Sequence, residues 1–109
     1  MPESFDRGAL TEAVYYILLS VHEPMHGYAI MQNIERLTGG RVVLGPGTLY
    51  GAINALVQKR WIAAVAEEQD LRKKSYVITE AGRAVFESEI VRLRELLKNS
   101  ESVSGGNEK

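Results

Sequence analysis

Leu44-Gly45-Pro46-Gly47-Thr48-Leu49-Tyr50-Gly51-Ala52-Ile53-Asn54-Ala55-Leu56-Val57-Gln58-Lys59-Arg60-Trp61-Ile62 is the stretch whose reading decides the fold. Gly45-Pro46 marks a turn. Proline suits the first position of a helix, where its missing N–H would have no partner in any case. At about 100° per residue, Leu49, Ala52, Ile53 and Leu56 share one face. Gly47, Gly51, Asn54 and Gln58 lie opposite, with Ala55 beside them and Thr48 and Tyr50 on the flanks. This outer face carries no bulky apolar side chain and no acid. It can approach the floor of a DNA major groove closely, where the amide of Asn or Gln pairs with N6 and N7 of adenine. It can equally be an ordinary solvated face, and the rest of the chain has to decide.

With 109 residues the chain suffices for one domain with a single modest core. Apolar residues make up 45% and charged residues 25%, the proportions of a globular protein. The absence of cysteine excludes disulfides and zinc fingers and fits a cytoplasmic location. No apolar run approaches the roughly 18–20 residues needed to cross a bilayer. The N-terminus lacks the basic-then-apolar pattern of a secretion signal. No membrane partner is expected. No Ser/His/Asp set, apolar carboxylate pair or metal cluster stands out, so neither catalytic residues nor a cofactor is expected. His22 and His26 stand four apart, but Pro24 interrupts them and no third ligand completes a metal site.

The net charge of −1 looks wrong for a nucleic-acid binder, yet its distribution matters more than its sum. Residues 36–66 contain no acid but hold Arg36, Arg41, Lys59 and Arg60, and Arg72, Lys73 and Lys74 follow. The acids gather at the N-terminus, at Glu67, Glu68 and Asp70, and in the last helical segment.

In chain order, residues 1–8 form an arm or loose turn. Residues 10–21 are the first helix, with Leu10, Ala13, Val14, Ile17, Leu18 and Val21 at helical spacing. Tyr15, Tyr16 and Leu19 spread apolar surface around that helix, which then serves either the core or a partner. Pro24 ends it. Residues 26–38 are the second helix, with Ile30, Ile34 and Leu37 inward, closed by Gly39. After the third helix, residues 62–67 and 74–78 read as strands, with Tyr76 and Ile78 on one face. The charged tip between them is either solvated or a wing that meets phosphates through Arg72, Lys73 and Lys74. Thr79 caps a further helix, running over residues 83–99. There Phe86, Ile90, Leu93 and Leu97 make a narrow seam at 4-3-4 spacing. That seam pairs with a second chain, folds back on the first helix, or does some of both.

At this point the residues resemble a family. Leu18-Leu19, His26-Gly27-Tyr28, Gly45 to Tyr50, Trp61-Ile62 and Lys74-Ser75-Tyr76-Val77-Ile78-Thr79-Glu80-Ala81-Gly82 are similar to the PadR transcriptional regulators, in the short subgroup with a single C-terminal helix. The resemblance spans roughly residues 10–97. It implies a mainly α fold with a small β-hairpin: a winged helix-turn-helix plus a C-terminal dimerisation helix. Residues 1–79 are the expected DNA-binding domain, 80–99 the dimerisation helix and 100–109 a disordered tail. A cytoplasmic homodimeric repressor on a palindromic double-stranded operator is implied. Some members release DNA when a small aromatic molecule binds between subunits. DNA contact is expected at Thr48, Tyr50, Gly51, Asn54, Gln58, Lys59, Arg72, Lys73 and Lys74, with Tyr50 serving a phosphate or the core. The dimer interface is expected at Leu10, Val14, Ile17, Phe86, Ile90, Leu93 and Leu97. A winged helix used only to bind protein is the alternative.

Three departures stand out. Positions 54 and 55 are often basic in the family and here are Asn54 and Ala55. The turn after the third helix often carries glycine, and here it carries Arg60. Arginine suits a positive φ poorly, so either a different turn or a phosphate role is expected. Drug-sensing relatives stack ligands on tryptophan in the last helix, whereas Trp61 lies outside it.

Overall fold

The computed structural model describes residues 9–66 and 74–103. Helix α1 (Glu12–Ser20) starts at Thr11, whose hydroxyl oxygen accepts from the Val14 N–H at 3.1 Å. Strand β1 (Met25–His26) follows, then α2 (Gly27–Leu37), α3 (Pro46–Gln58), β2 (Ile62–Ala66), β3 (Lys74–Ile78) and α4 (Glu80–Glu101). The sheet order is β1-β3-β2, all antiparallel, with Ile62 opposite Ile78, Ala64 opposite Tyr76 and Met25 opposite Tyr76 on the other side. The expected hairpin is thus two of three strands. Strand β1 escaped the sequence because two residues are too few to show alternation.

The core joins every helix to the sheet. Ile17, Leu18 and Val21 of the α1 end meet Ile30 and Ile34 of α2, Leu49, Ile53 and Leu56 of α3, Ile62, Tyr76 and Ile78 of the sheet, and Phe86 of α4. The Ile78 N–H donates to the Val21 carbonyl at 2.8 Å, tying the end of β3 to the end of α1. Between α1 and α2 the Asn33 amide donates to the Ser20 hydroxyl at 3.0 Å.

Several expectations shift. Leu37 is 43% exposed, because it is the last residue of α2 and lies past the edge of the core. Helix α4 runs to Glu101, two residues beyond its expected end, since no glycine or proline stops it there. Residues 104–109 of the expected tail lie outside the described residues. His22 and His26 are engaged separately. His22 Nδ1 donates to the Leu18 carbonyl at 2.9 Å, with its ring edge-on to Phe86. His26 Nδ1 lies 3.2 Å from the Lys74 carbonyl.

The expected dimer residues divide. Ile17 is fully buried and Phe86 is 6% exposed within the protomer, so both belong to its own core and not to a surface that a second chain meets. The spacing that faces a partner is the same spacing that faces a core, which is why the sequence could not separate them. Leu10, Val14 and Ile90 are half-buried, while Leu93 and Leu97 are 39% and 62% exposed.

Candidate nucleic-acid interface

Helix α3 is set by its buried face and its entry turn. Gly45 is the cap in extended geometry, Pro46 takes the first position, and the Leu49 N–H closes on the Gly45 carbonyl at 2.9 Å. Leu49, Ile53 and Leu56 are buried, which turns Gly47, Gly51, Asn54, Ala55 and Gln58 outward, all of them exposed, as is Thr48. The outer face over 13 residues extends about 20 Å. It is small in profile, and its polar side chains are amides and a hydroxyl. The N–H groups of its first turn have no helical acceptor and favour an anion.

Tyr50 is half core and half surface. Its ring lies over Gly27, where an added Cβ would overlap the ring at its hydroxyl end, and the residue is still 40% exposed. Glycine at the start of α2 leaves room for this ring, which joins the His26-Gly27-Tyr28 piece to the Gly-Thr-Leu-Tyr piece in space. Burial, with Tyr50 nearby, pushes the Tyr76 hydroxyl above its ordinary range. Tyr28 is 63% exposed on the first turn of α2. It is a hydroxyl donor that the sequence reading passed over. An exposed aromatic at the start of the second helix was the available signal.

The cations do not act as one group. Arg36 donates to the Asn33 side chain. Arg41 forms a two-pronged pair with Glu12, both partners more than half exposed, which holds Glu12 below the usual carboxylate range. Lys59 places its ammonium 5.0 Å from the centre of the Trp61 ring. Lys74 is exposed at the outer end of β3, opposite Ala66. Arg72 and Lys73 lie outside the described residues.

Arg60 takes φ 66°, so the turn keeps the left-handed shape that the sequence argued against. Its N–H donates to the Val57 carbonyl and the Trp61 N–H to the Leu56 carbonyl, both at 3.0 Å. This is the closure that glycine usually supplies. An arginine there costs about 1–2 kcal/mol of backbone strain.

The turn is clamped from below. The Thr79 hydroxyl donates to the Arg60 carbonyl at 2.6 Å and accepts from the Gly82 N–H at 3.0 Å, capping α4. The Thr79 N–H donates to the Trp61 carbonyl at 2.9 Å. Gly82 sits so close to that carbonyl that a Cβ would collide with it. The Thr79-x-x-Gly82 spacing therefore bolts the end of α3 to the start of α4.

A cleft of about 310 Å³ opens between α1 and α4, lined by Leu10, Glu12, Tyr15, Tyr16, Glu89, Arg92 and Leu93. Glu89 is 5% exposed. It accepts from Arg92 Nε and Nη2 at 2.8 and 2.7 Å. Those bonds, with a smaller contribution from the Leu10 N–H, hold its carboxyl below the usual range despite burial.

Solved structures share this architecture. A transcriptional regulator from Clostridium thermocellum superposes with a TM-score of 0.74 at 23% identity, over 95% of this chain and 98% of that one. RosR of H. salinarum does so with a TM-score of 0.62 at 27% identity, over 83% and 76%. The PcaV transcriptional regulator from Streptomyces coelicolor, solved with its natural ligand, gives 0.70 at 16% identity, over 85% of this chain and 62% of PcaV. In sequence, a 37.1 kDa protein of transposon TN4556 from Streptomyces fradiae is 42% identical over 66 residues, which are 61% of this chain and 18% of that protein. The chain thus spans under a fifth of that relative. The model of the transcriptional regulator PadR-like family matches residues 16–88, from the middle of α1 through both halves of the α3–α4 clamp. Helix order, sheet and clamp agree with that match, and this chain belongs to the PadR-like family of transcriptional regulators.

Proposed function

We propose that the chain is a cytoplasmic, homodimeric, sequence-specific DNA-binding repressor whose α3 helices enter successive major grooves of a palindromic operator. The observation that carries this reading is the outer face of α3: exposed from Gly47 to Gln58, free of bulk and of acid, with Asn54 and Gln58 as base-reading amides. Thr48, Tyr28 and the exposed edge of Tyr50 surround it with hydroxyl and N–H donors for phosphates, and Lys74 stands at the root of the wing.

Helix α4 supports the dimer. Its 22 residues extend about 33 Å. Past Phe86 and Glu89 it carries Val91, Leu93, Leu96 and Leu97 with 39–65% of their surface exposed. Each such side chain contributes about 1.5–3 kcal/mol when fully covered. A second α4 supplies that cover and holds two α3 helices near one helical turn of DNA apart, about 34 Å. The α1–α4 cleft, with Tyr15, Tyr16 and Arg92 on its walls, is where a small aromatic effector would bias that spacing.

Binding to labelled genomic fragments at about 0.1 M salt tests the reading. Retention of specific fragments supports it. Lys74→Ala should weaken binding to all sequences and reduce the salt slope by about one unit for each phosphate no longer neutralised. A chain that retained no fragment yet captured a protein would be an interaction module instead.

A further inference from the structure

Two helices of this fold end in the same way. In α2, the Gly39 N–H donates to the Arg36 carbonyl at 3.3 Å and the Gly40 N–H to the Glu35 carbonyl at 2.9 Å, with Gly39 at φ 60°. In α3, the same two bonds form around Arg60 at φ 66°. Glycine meets the requirement at the first site without strain. At the second the chain holds a side chain in a conformation that disfavours it. A strained residue that persists at a rigid position points to a use for its side chain.

The surroundings of Arg60 say which use. It is exposed. Its guanidinium has no hydrogen-bond or ion-pair partner among the described residues. Arg36, Arg41 and Lys59, the other cations of the acid-free span, are each engaged by Asn33, Glu12 and Trp61. Arg60 directly follows Gln58 and Lys59 at the end of α3, where the outer face of that helix stops. Its peptide is immobilised by the turn bonds and by the Thr79 hydroxyl on its carbonyl. A planar, permanently charged fork on a fixed base suits a phosphodiester oxygen pair.

We propose that Arg60 is a DNA-backbone contact flanking the α3 face, gripping a phosphate beside the bases that Gln58 approaches. This rests on the DNA-binding reading above. It adds to Lys59, whose ammonium lies over Trp61, a second cation at the end of α3.

The test uses the full chain and a fluorescent duplex that the unsubstituted protein selects from genomic fragments, followed by anisotropy from about 50 to 300 mM KCl. Arg60→Gly should raise the Tm by a few degrees, because the turn is relieved, while weakening binding on the order of tenfold. The salt slope should fall by about two units per dimer, one for each Arg60. Arg60→Gln should lower the slope equally without the gain in Tm, and Arg60→Lys should keep the slope. That pattern separates lost charge from a changed turn. If Arg60→Gly and Arg60→Gln both keep the original slope, the phosphate role is overturned while DNA binding stands. If the unsubstituted protein selects no duplex at all, both readings fall together.

Discussion

Replacing Thr79 by alanine is the sharpest probe of how the fold positions α3. The Thr79 hydroxyl makes two bonds at once, accepting from Gly82 and donating to the Arg60 carbonyl. Loss of a helix N-cap costs about 1 kcal/mol. Loss of the second bond, at 2.6 Å and between neutral groups, costs about 1 kcal/mol more. The sum is about 2 kcal/mol. For a domain of this size, at about 4–8 °C per kcal/mol, that is a Tm lower by about 8–16 °C. Thr79→Ser keeps both bonds and should recover most of the loss, giving up only a methyl group. The measurement is thermal and urea unfolding followed by helical circular dichroism. Protein concentration must be fixed, since the proposed dimer would shift apparent stability with it. A Thr79→Ala protein within 0.5 kcal/mol of the unsubstituted one, or a serine variant as unstable as the alanine variant, would refute the clamp.

Gly27→Ala should displace the Tyr50 ring, which its new methyl meets, and Gly27→Ala with Tyr50→Ala should fall short of the sum of the two single losses. Urea unfolding of the four proteins checks this. Glu89 has a folded-state pKa below its unfolded value, so its contribution is present at neutral pH and lost as pH falls through the folded value. Arg92→Met should then cost about 2–3 kcal/mol near pH 7, a deficit that shrinks on acidification as Glu89 takes a proton, read from urea midpoints between pH 4 and 7. Leu97→Glu should leave a folded monomer in sedimentation, whereas Ile17→Ala, cutting into the sealed core, should lose about 2–5 kcal/mol before any dimer is affected.

Helix α3 was legible because its two faces are so unlike in chemistry. Leu49, Ile53 and Leu56 went inward and Gly51, Asn54 and Gln58 outward as the periodicity required. The Thr79 cap was legible for a similar reason: an oxygen placed three residues before an N–H that needs it. What stayed hidden depends on residues far apart in the chain. Nothing local says that Gly27 makes room for Tyr50, or that Gly82 does so for the Trp61 carbonyl. Nor does spacing alone reveal that Lys59 leans on Trp61. Ile17 and Phe86 were assigned to a partner because an apolar stripe does not state which surface covers it. At Arg60 the φ preference pointed to a different turn, and the turn is the left-handed one all the same, with Thr79 bonded to both Arg60 and Trp61.

The residues that carried the family resemblance mostly hold elements together. Gly27 admits Tyr50, Thr79 clamps the Arg60–Trp61 turn, and Gly82 lets α4 close on that turn. The exposed positions between them, Gly51, Asn54 and Gln58, support none of these contacts. Frame and outer face are therefore separable within one helix. Asn54→Ala and Gln58→Ala should each leave unfolding within about 0.5 kcal/mol of the unsubstituted protein, since both side chains are exposed in the protomer. In selections from random duplexes the same changes should erase preference at one or two base-pair positions per half-site, at about 1–3 kcal/mol each. Salt slope should stay unchanged, because amides release no counterions. A loss of stability with unchanged sequence preference would place these amides in the frame and remove the chemical basis for reading bases with α3.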